Sequence, residues 1–187
     1  VSPDGKAVAF VRVDGNEKKD EYETSIWIAS TDGKTPPRRF TAGPRDLSPR
    51  FSPDGSLLAF VRAAEKDGKR QPPQLFLMRM SGGEPRAITE LPKGAGAATF
   101  SPDGKTIVFT SATTEEDIRL AKNPPKEPGR ESDVRVITRA VYRANGGGYN
   151  DPTRKAQIWA VTLSDGSSTE PRRLTNDEFG AGAPLFS

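Results

Sequence analysis

The stretch Phe51-Ser52-Pro53-Asp54-Gly55-Ser56-Leu57-Leu58-Ala59-Phe60-Val61 holds the plan of this chain. An aromatic residue leads into a four-residue turn, and an apolar run leads out of it. Proline sets φ at the first central turn position, aspartate accepts hydrogen bonds from nearby backbone N–H groups, and glycine takes the positive φ that lets the chain return. The same turn recurs as Ser2-Pro3-Asp4-Gly5 and Ser101-Pro102-Asp103-Gly104, so the three serines are 50 and 49 residues apart.

The matching continues through each period. After the turns come Ala7-Val8-Ala9-Phe10-Val11, Leu57-Leu58-Ala59-Phe60-Val61 and Thr106-Ile107-Val108-Phe109-Thr110. Next come Ser25-Ile26-Trp27-Ile28-Ala29, Gln74-Leu75-Phe76-Leu77-Met78 and Gln157-Ile158-Trp159-Ala160-Val161. A closing group reads Pro37-Arg38-Arg39-Phe40-Thr41, Pro85-Arg86-Ala87-Ile88-Thr89 and Pro171-Arg172-Arg173-Leu174-Thr175. Phe51, Phe100 and Phe186 precede the turn serines, and Asp32-Gly33, Gly82-Gly83 and Asp165-Gly166 mark a second hairpin. Short β-branched or aromatic runs bounded by turn residues are strands. Four per period predict tandem antiparallel meanders, the pattern of β-propeller blades.

The predicted fold class is therefore all-β: an incomplete propeller of about three four-stranded blades plus the first strand of a fourth. The units run 1–51, 52–100 and 101–187, with an insertion at 112–156 in the third. The first unit keeps only Val1 of its innermost strand, and 183–187 reads as the innermost strand of a fourth unit. Propellers close with four to eight blades, so the expectation is a piece of a longer protein.

Composition narrows the chemistry. The 187 residues contain no cysteine and no histidine, which removes thiolate nucleophiles, zinc-thiolate sites and Ser-His-Asp machinery from this chain. Eighteen glycines and 17 prolines, about a fifth of the chain, favour turns over long helices. No apolar run is long enough to span a membrane, and no signal peptide is visible. A net charge of +3 is weak grounds for a nucleic-acid partner. No cofactor is expected: Gly146-Gly147-Gly148 lacks the Lys-Ser/Thr of a phosphate loop, and the aspartates form no calcium loop. Absent cysteines fit both cytoplasm and periplasm, and the cytoplasm is favoured. An oligomer is compatible with the sequence.

These motifs resemble the TolB-type, WD40-like propeller repeat: an aromatic before Ser-Pro-Asp-Gly, an Ala-Phe strand, an Ile-Trp strand and a closing Leu-Thr. The stretches Asp133-Val134-Arg135-Val136-Ile137-Thr138-Arg139 and Tyr142-Arg143-Ala144-Asn145-Gly146-Gly147-Gly148-Tyr149 are similar to part of the N-terminal propeller of prolyl-oligopeptidase-family serine peptidases, acylaminoacyl-peptidase-like ones in particular. The resemblance implies a C-terminal α/β-hydrolase domain as partner, with the propeller gating short peptides. That catalytic domain is not in this chain, because no Gly-x-Ser-x-Gly elbow and no histidine occur, and no catalytic residue can be assigned. The alternative is a TolB-like scaffold that binds protein partners and carries no catalytic domain.

The insertion holds the candidate binding residues, because blade-edge loops face partners. Thr113 and Glu116 predict a capping box on a short helix to about Lys122, followed by an extended linker over 123–130. In some dipeptidyl-peptidase relatives adjacent glutamates hold a substrate amino terminus, which singles out Glu115 and Glu116. The favoured explanation is simpler: acid at a helix N-terminus stabilises the dipole. Alternation over 133–143 predicts a strand returning through 156–162, placing Arg139, Arg143 and Tyr149 near a substrate carboxylate or the domain interface. An exposed basic hairpin face explains them too. Trp27 and Trp159 read as core.

Overall fold

The computed structural model describes residues 1–18, 20–124, 143–144, 148–149, 154–164 and 167–186. The first sheet is β1 (Ala7–Asn16), β2 (Glu21–Ser30) and β3 (Arg38–Arg39), in that order. The second contains β4 (Asp46–Phe51) and β5 (Leu57–Arg62). A small ribbon of β6 (Glu65–Lys66) and β7 (Lys69–Arg70) follows, and β8 (Gln74–Arg79) and β9 (Arg86–Ala87) complete the order β4-β5-β8-β9. The third starts with β10 (Thr99–Phe100) and β11 (Thr106–Ser111). Helix α1 (Glu115–Lys122) and a two-stranded ribbon of β12 (Arg143–Ala144) and β13 (Gly148–Tyr149) intervene. β14 (Gln157–Ser164), β15 (Ser167–Ser168) and β16 (Arg172–Arg173) then rejoin the sheet. Neighbouring strands within each sheet are antiparallel. The architecture is an incomplete all-β propeller.

The three Ser-Pro-Asp-Gly turns are built alike. In each, the serine hydroxyl accepts from the backbone N–H five residues on at 2.9 Å, from Ala7, Leu57 and Thr106. It also donates to the turn aspartate, from Ser2 to Asp4, Ser52 to Asp54 and Ser101 to Asp103. The glycines sit at φ +71°, +72° and +70°, where a side chain would be strained. Each turn packs on the next: a Cβ on Gly55 would lie 3.6 Å from Pro3, and one on Gly104 would lie 3.6 Å from Pro53. Hydrogen bonds from Ser52, then from the Ser56 hydroxyl and N–H, hold the Asp54 carboxyl at about 2.

The closing threonine has a fixed task as well. Thr41, Thr89 and Thr175 accept the backbone N–H of Ile26, Leu75 and Ile158 at 3.0, 2.9 and 3.0 Å. Thr89 and Thr175 donate onward to Gln74 and Gln157. The outermost strand is thereby tied to the third strand of its sheet by side chains where the ladder itself is short.

Strand register decides which face meets which sheet. Leu58 pairs with Met78 and Phe60 with Phe76, and this face of the second sheet packs on Ile26, Ile28 and Phe40 of the first. The opposite face, Ala59, Val61, Leu75 and Leu77, packs on Ile107, Phe109, Trp159 and Val161 of the third. Phe109 and Trp159 are cross-strand partners, as are Phe10 and Trp27.

Four expectations need correction. Trp159 is buried, but Trp27 is only half-buried, because its face of the first sheet has no sheet packed on it among the described residues. The helix starts one residue later than expected: Thr114 is the N-cap and Asp117 completes the capping box. The Thr113 hydroxyl is already engaged by the Lys93 N–H and by Ser111. The strand over 156–162, expected as the return partner of 133–143, belongs to the third sheet. Gln157–Ser164 pairs instead with Thr106–Ser111, continuing the meander across the insertion, while Arg143 pairs with Tyr149. Residues 183–186 form no strand; Thr99 donates to the Pro184 carbonyl at 3.0 Å, and Leu185 stays exposed. The linker from 125 onward, residues 133–142 and Asp165-Gly166 lie outside the described residues.

Candidate functional site

The two ends of the sheets differ. One end carries the Ser-Pro-Asp-Gly turns, stacked proline against glycine. The other end carries the connections between the second and third strands: the β1–β2 turn, the β6–β7 ribbon and the long insertion of the third sheet. Buried charge concentrates at this second end. Asp46 is fully buried and accepts two hydrogen bonds from Arg62, at 2.6 Å from Nε and 2.8 Å from Nη2. The same guanidinium lies 5.2 Å from the ring centres of both Phe60 and Phe76, so its planar faces cover the aromatic pair. Gly43 is required here, since a Cβ would come within 2.6 Å of Arg62 Nε. Next door, Arg45 pairs with Glu21 of the first sheet and with Glu65 of the β6–β7 ribbon, tying two of the connections together.

The insertion is anchored where it leaves and rejoins the sheet. Ser111 donates to the Gly94 carbonyl at 2.5 Å, and the Lys93 N–H donates to Thr113 at 3.1 Å. Helix α1 is thus fixed to the connection between the second and third sheets. Asp117 accepts from the Thr114 N–H and hydroxyl and from Arg154, 37 positions along the chain, at 2.6 Å. Burial alone would push the Asp117 carboxyl up. The hydrogen bond from Arg154, then those from Thr114, outweigh it and hold the group at about 2. One ion pair therefore joins the two limbs of the insertion.

The sequence-derived candidates fall into three places. Glu115 and Glu116 occupy the first turn of α1 and are exposed, with Glu116 paired to Arg119 at 2.7 Å. Arg143 and Tyr149 stand opposite each other in the β12–β13 register. Arg139 lies outside the described residues. Sequence reasoning passed over Asp117 and Arg154. A Thr-x-x-Asp spacing at Thr114 marks the first, and nothing local marks the second, whose partner is distant in sequence. It likewise passed over Asp46, Arg62 and Arg45. Among the described residues no group of three metal-ligating side chains exists, and no helix is long and apolar enough to cross a membrane. The arrangement offers charges and hydrogen-bond donors for binding.

No protein-family model matches the chain. It is 34% identical over 190 residues to the uncharacterized peptidase YuxL of Bacillus subtilis (strain 168), a match that takes in 100% of this chain and 27% of that protein. The chain therefore spans about a quarter of that curated relative. Among solved structures, the acylaminoacyl peptidase of Pyrococcus horikoshii aligns with a TM-score of 0.61 at 17% identity, over 90% of this chain and 24% of that one. A putative TolB from Agrobacterium tumefaciens aligns with a TM-score of 0.57 at 23% identity, over 96% and 46%. The two structures speak for the fold, and the sequence match speaks for the peptidase side of it. The chain is thus similar in sequence to part of a curated peptidase, and it has the β-propeller fold shared by acylaminoacyl peptidase and TolB.

Proposed function

We propose that this propeller segment gates and positions short peptides for an α/β-hydrolase domain carried by the same protein. The carrying observation is the insertion's anchorage: the limbs by which it leaves and rejoins the sheet are held in place by Ser111–Gly94, Lys93–Thr113 and Asp117–Arg154. On this reading Arg143 and Tyr149, opposed in register, present a cation and a phenol to a peptide carboxylate or to the hydrolase surface. Glu115 with Glu116 offers carboxylates to a peptide amino terminus, and Arg139, outside the described residues, is a further candidate cation. The parent protein's acyl-transfer chemistry would come from its hydrolase domain, since this chain has no histidine or cysteine. The expected compartment is the cytoplasm.

The test is Arg143→Ala in the full-length protein, assayed with peptides and with a small activated ester. Peptide KM or kcat changes while ester turnover holds. Unchanged peptide kinetics would discard the role of Arg143. A coding sequence without a downstream Gly-x-Ser-x-Gly elbow, Asp and His would favour the TolB-like scaffold instead.

A further inference from the structure

Both sheet interfaces open into grooves at the Ser-Pro-Asp-Gly end, and the difference lies in the charges at the interface between the second and third sheets. At the Ser-Pro-Asp-Gly end it opens into a groove of about 480 Å³, lined by Leu57, Leu77, Arg79, Arg86, Lys105 and Leu163, among others. Register fixes which way these residues stand. Arg79 pairs with Leu57 and Arg86 with Leu77, so both cations lie on the face of the second sheet that meets the third. The Leu163 N–H donates to the Lys105 carbonyl, which puts Lys105 one step beyond the Thr106–Thr162 pair, on the face of Ile107 and Val161 that meets the second sheet. Three cations therefore face one another across a gap where packed sheets stand about 10 Å apart.

Their mutual repulsion is only partly compensated, since Lys105 acts on the Asp103 carboxylate two residues back in the turn. Among the described residues none of the three is in an ion pair, and Arg86 reaches across only to the Ser167 carbonyl, at 3.5 Å. Glu84 is the single carboxylate in the lining. The repeat supplies its own control. Counting from the paired aromatics, Ser30 occupies the place of Arg79, Ser56 that of Lys105 and Arg38 that of Arg86, so at these three positions the first interface carries one cation and the second three; Lys6 lines the first groove from the turn. Blade architecture accounts for the shared arginine and not for the two added charges. Like charges brought together cost energy that an anion between them removes.

The geometry points to a binding site, in the groove between the second and third sheets, for a small ligand with at least two negative oxygens and a short apolar body. Arg79, Lys105 and Arg86 take the oxygens, and Leu57, Leu77 and Leu163 take the apolar part. A phosphate monoester and a dicarboxylate share this chemistry. The site lies at the opposite end of the sheets from the insertion, so it stands or falls apart from the peptide-gating reading.

The experiment is amide exchange by mass spectrometry on the full-length protein, following peptides over 79–86 and 103–106. Inorganic phosphate, succinate and acetate are the probes, at ionic strength matched with chloride. Phosphate, succinate or both slow exchange saturably in these peptides and acetate does not; whichever dianion acts identifies the ligand type. In the double variant Arg79→Ser, Lys105→Ser, which installs the residues of the first interface, binding weakens about tenfold, as expected for two surface charge contacts. Should the double variant fail to fold, Lys105→Ser alone carries the test. No protection by either dianion, equal protection by acetate, or protection undiminished in the variant overturns the proposal.

Discussion

Ala9-Phe10-Val11-Arg12 and Ala59-Phe60-Val61-Arg62 are the same four residues in the same strand of successive blades, and they live in different surroundings. Phe60 is 0% exposed and Phe10 36%. Arg62 is drawn onto the buried carboxylate of Asp46 and covers two aromatic rings. Arg12 pairs with Asp14 two residues along, half-exposed, with its guanidinium 4.7 Å from the Trp27 ring centre. The strand specifies which residues point to a given face. Burial, and with it most of the energy, comes from whatever sheet or inner strand lies against that face.

The largest expected contrasts come from truncating these twins. Phe60→Ala costs about 3–5 kcal/mol in urea unfolding, as a large core truncation does, while Phe10→Ala costs about 1–2 kcal/mol. Asp46→Ala strands Arg62 and costs about 3–5 kcal/mol; Arg12→Ala, which loses an exposed pair, stays within about 1 kcal/mol. Equal losses in either pair of variants would break the comparison. Gly43→Ala comes next: its methyl meets the locked Arg62–Asp46 pair, and the midpoint falls by the equivalent of about 1–3 kcal/mol.

Acid probes the insertion's anchor. Asp117 has its folded pKa depressed from 3.8 to about 2. Its contribution is complete above pH 4 and is lost as pH falls toward 2, on the order of 2 kcal/mol. In Arg154→Met the lowering weakens, so stability at neutral pH drops and its acid dependence flattens. A wild-type acid profile in that variant would remove Arg154 from the anchor. The smallest effect is spectroscopic. With Trp27 and Trp159 the only tryptophans, acrylamide quenches Trp159→Phe, which reports Trp27, more strongly than Trp27→Phe.

Much of this was legible in the chain itself, because turn chemistry and strand alternation act over a few residues. Ser-Pro-Asp-Gly names a turn whose serine and aspartate side chains find partners within five positions, and the Arg-x-x-Thr endings name a strand closed by a hydroxyl. The insertion was less legible. Its helix was expected within one residue, yet the choice of Thr114 over Thr113 as cap depended on Lys93, which reaches Thr113 from another loop. The pairing of Gln157–Ser164 with Thr106–Ser111 followed the repeat, whereas local alternation over 133–143 pointed elsewhere.

The sequence alone determined the strand periodicity, the three matching turns and which side chains share a face, since these follow from backbone geometry over neighbouring residues. Only the tertiary structure decided which of those faces is covered. It also decided that Asp46 finds Arg62, that Asp117 finds Arg154, and that Arg79, Arg86 and Lys105 converge on one groove. Those partners are 16 to 37 residues apart or on different sheets, and a burial or a charge contact exists only once packing has brought them together.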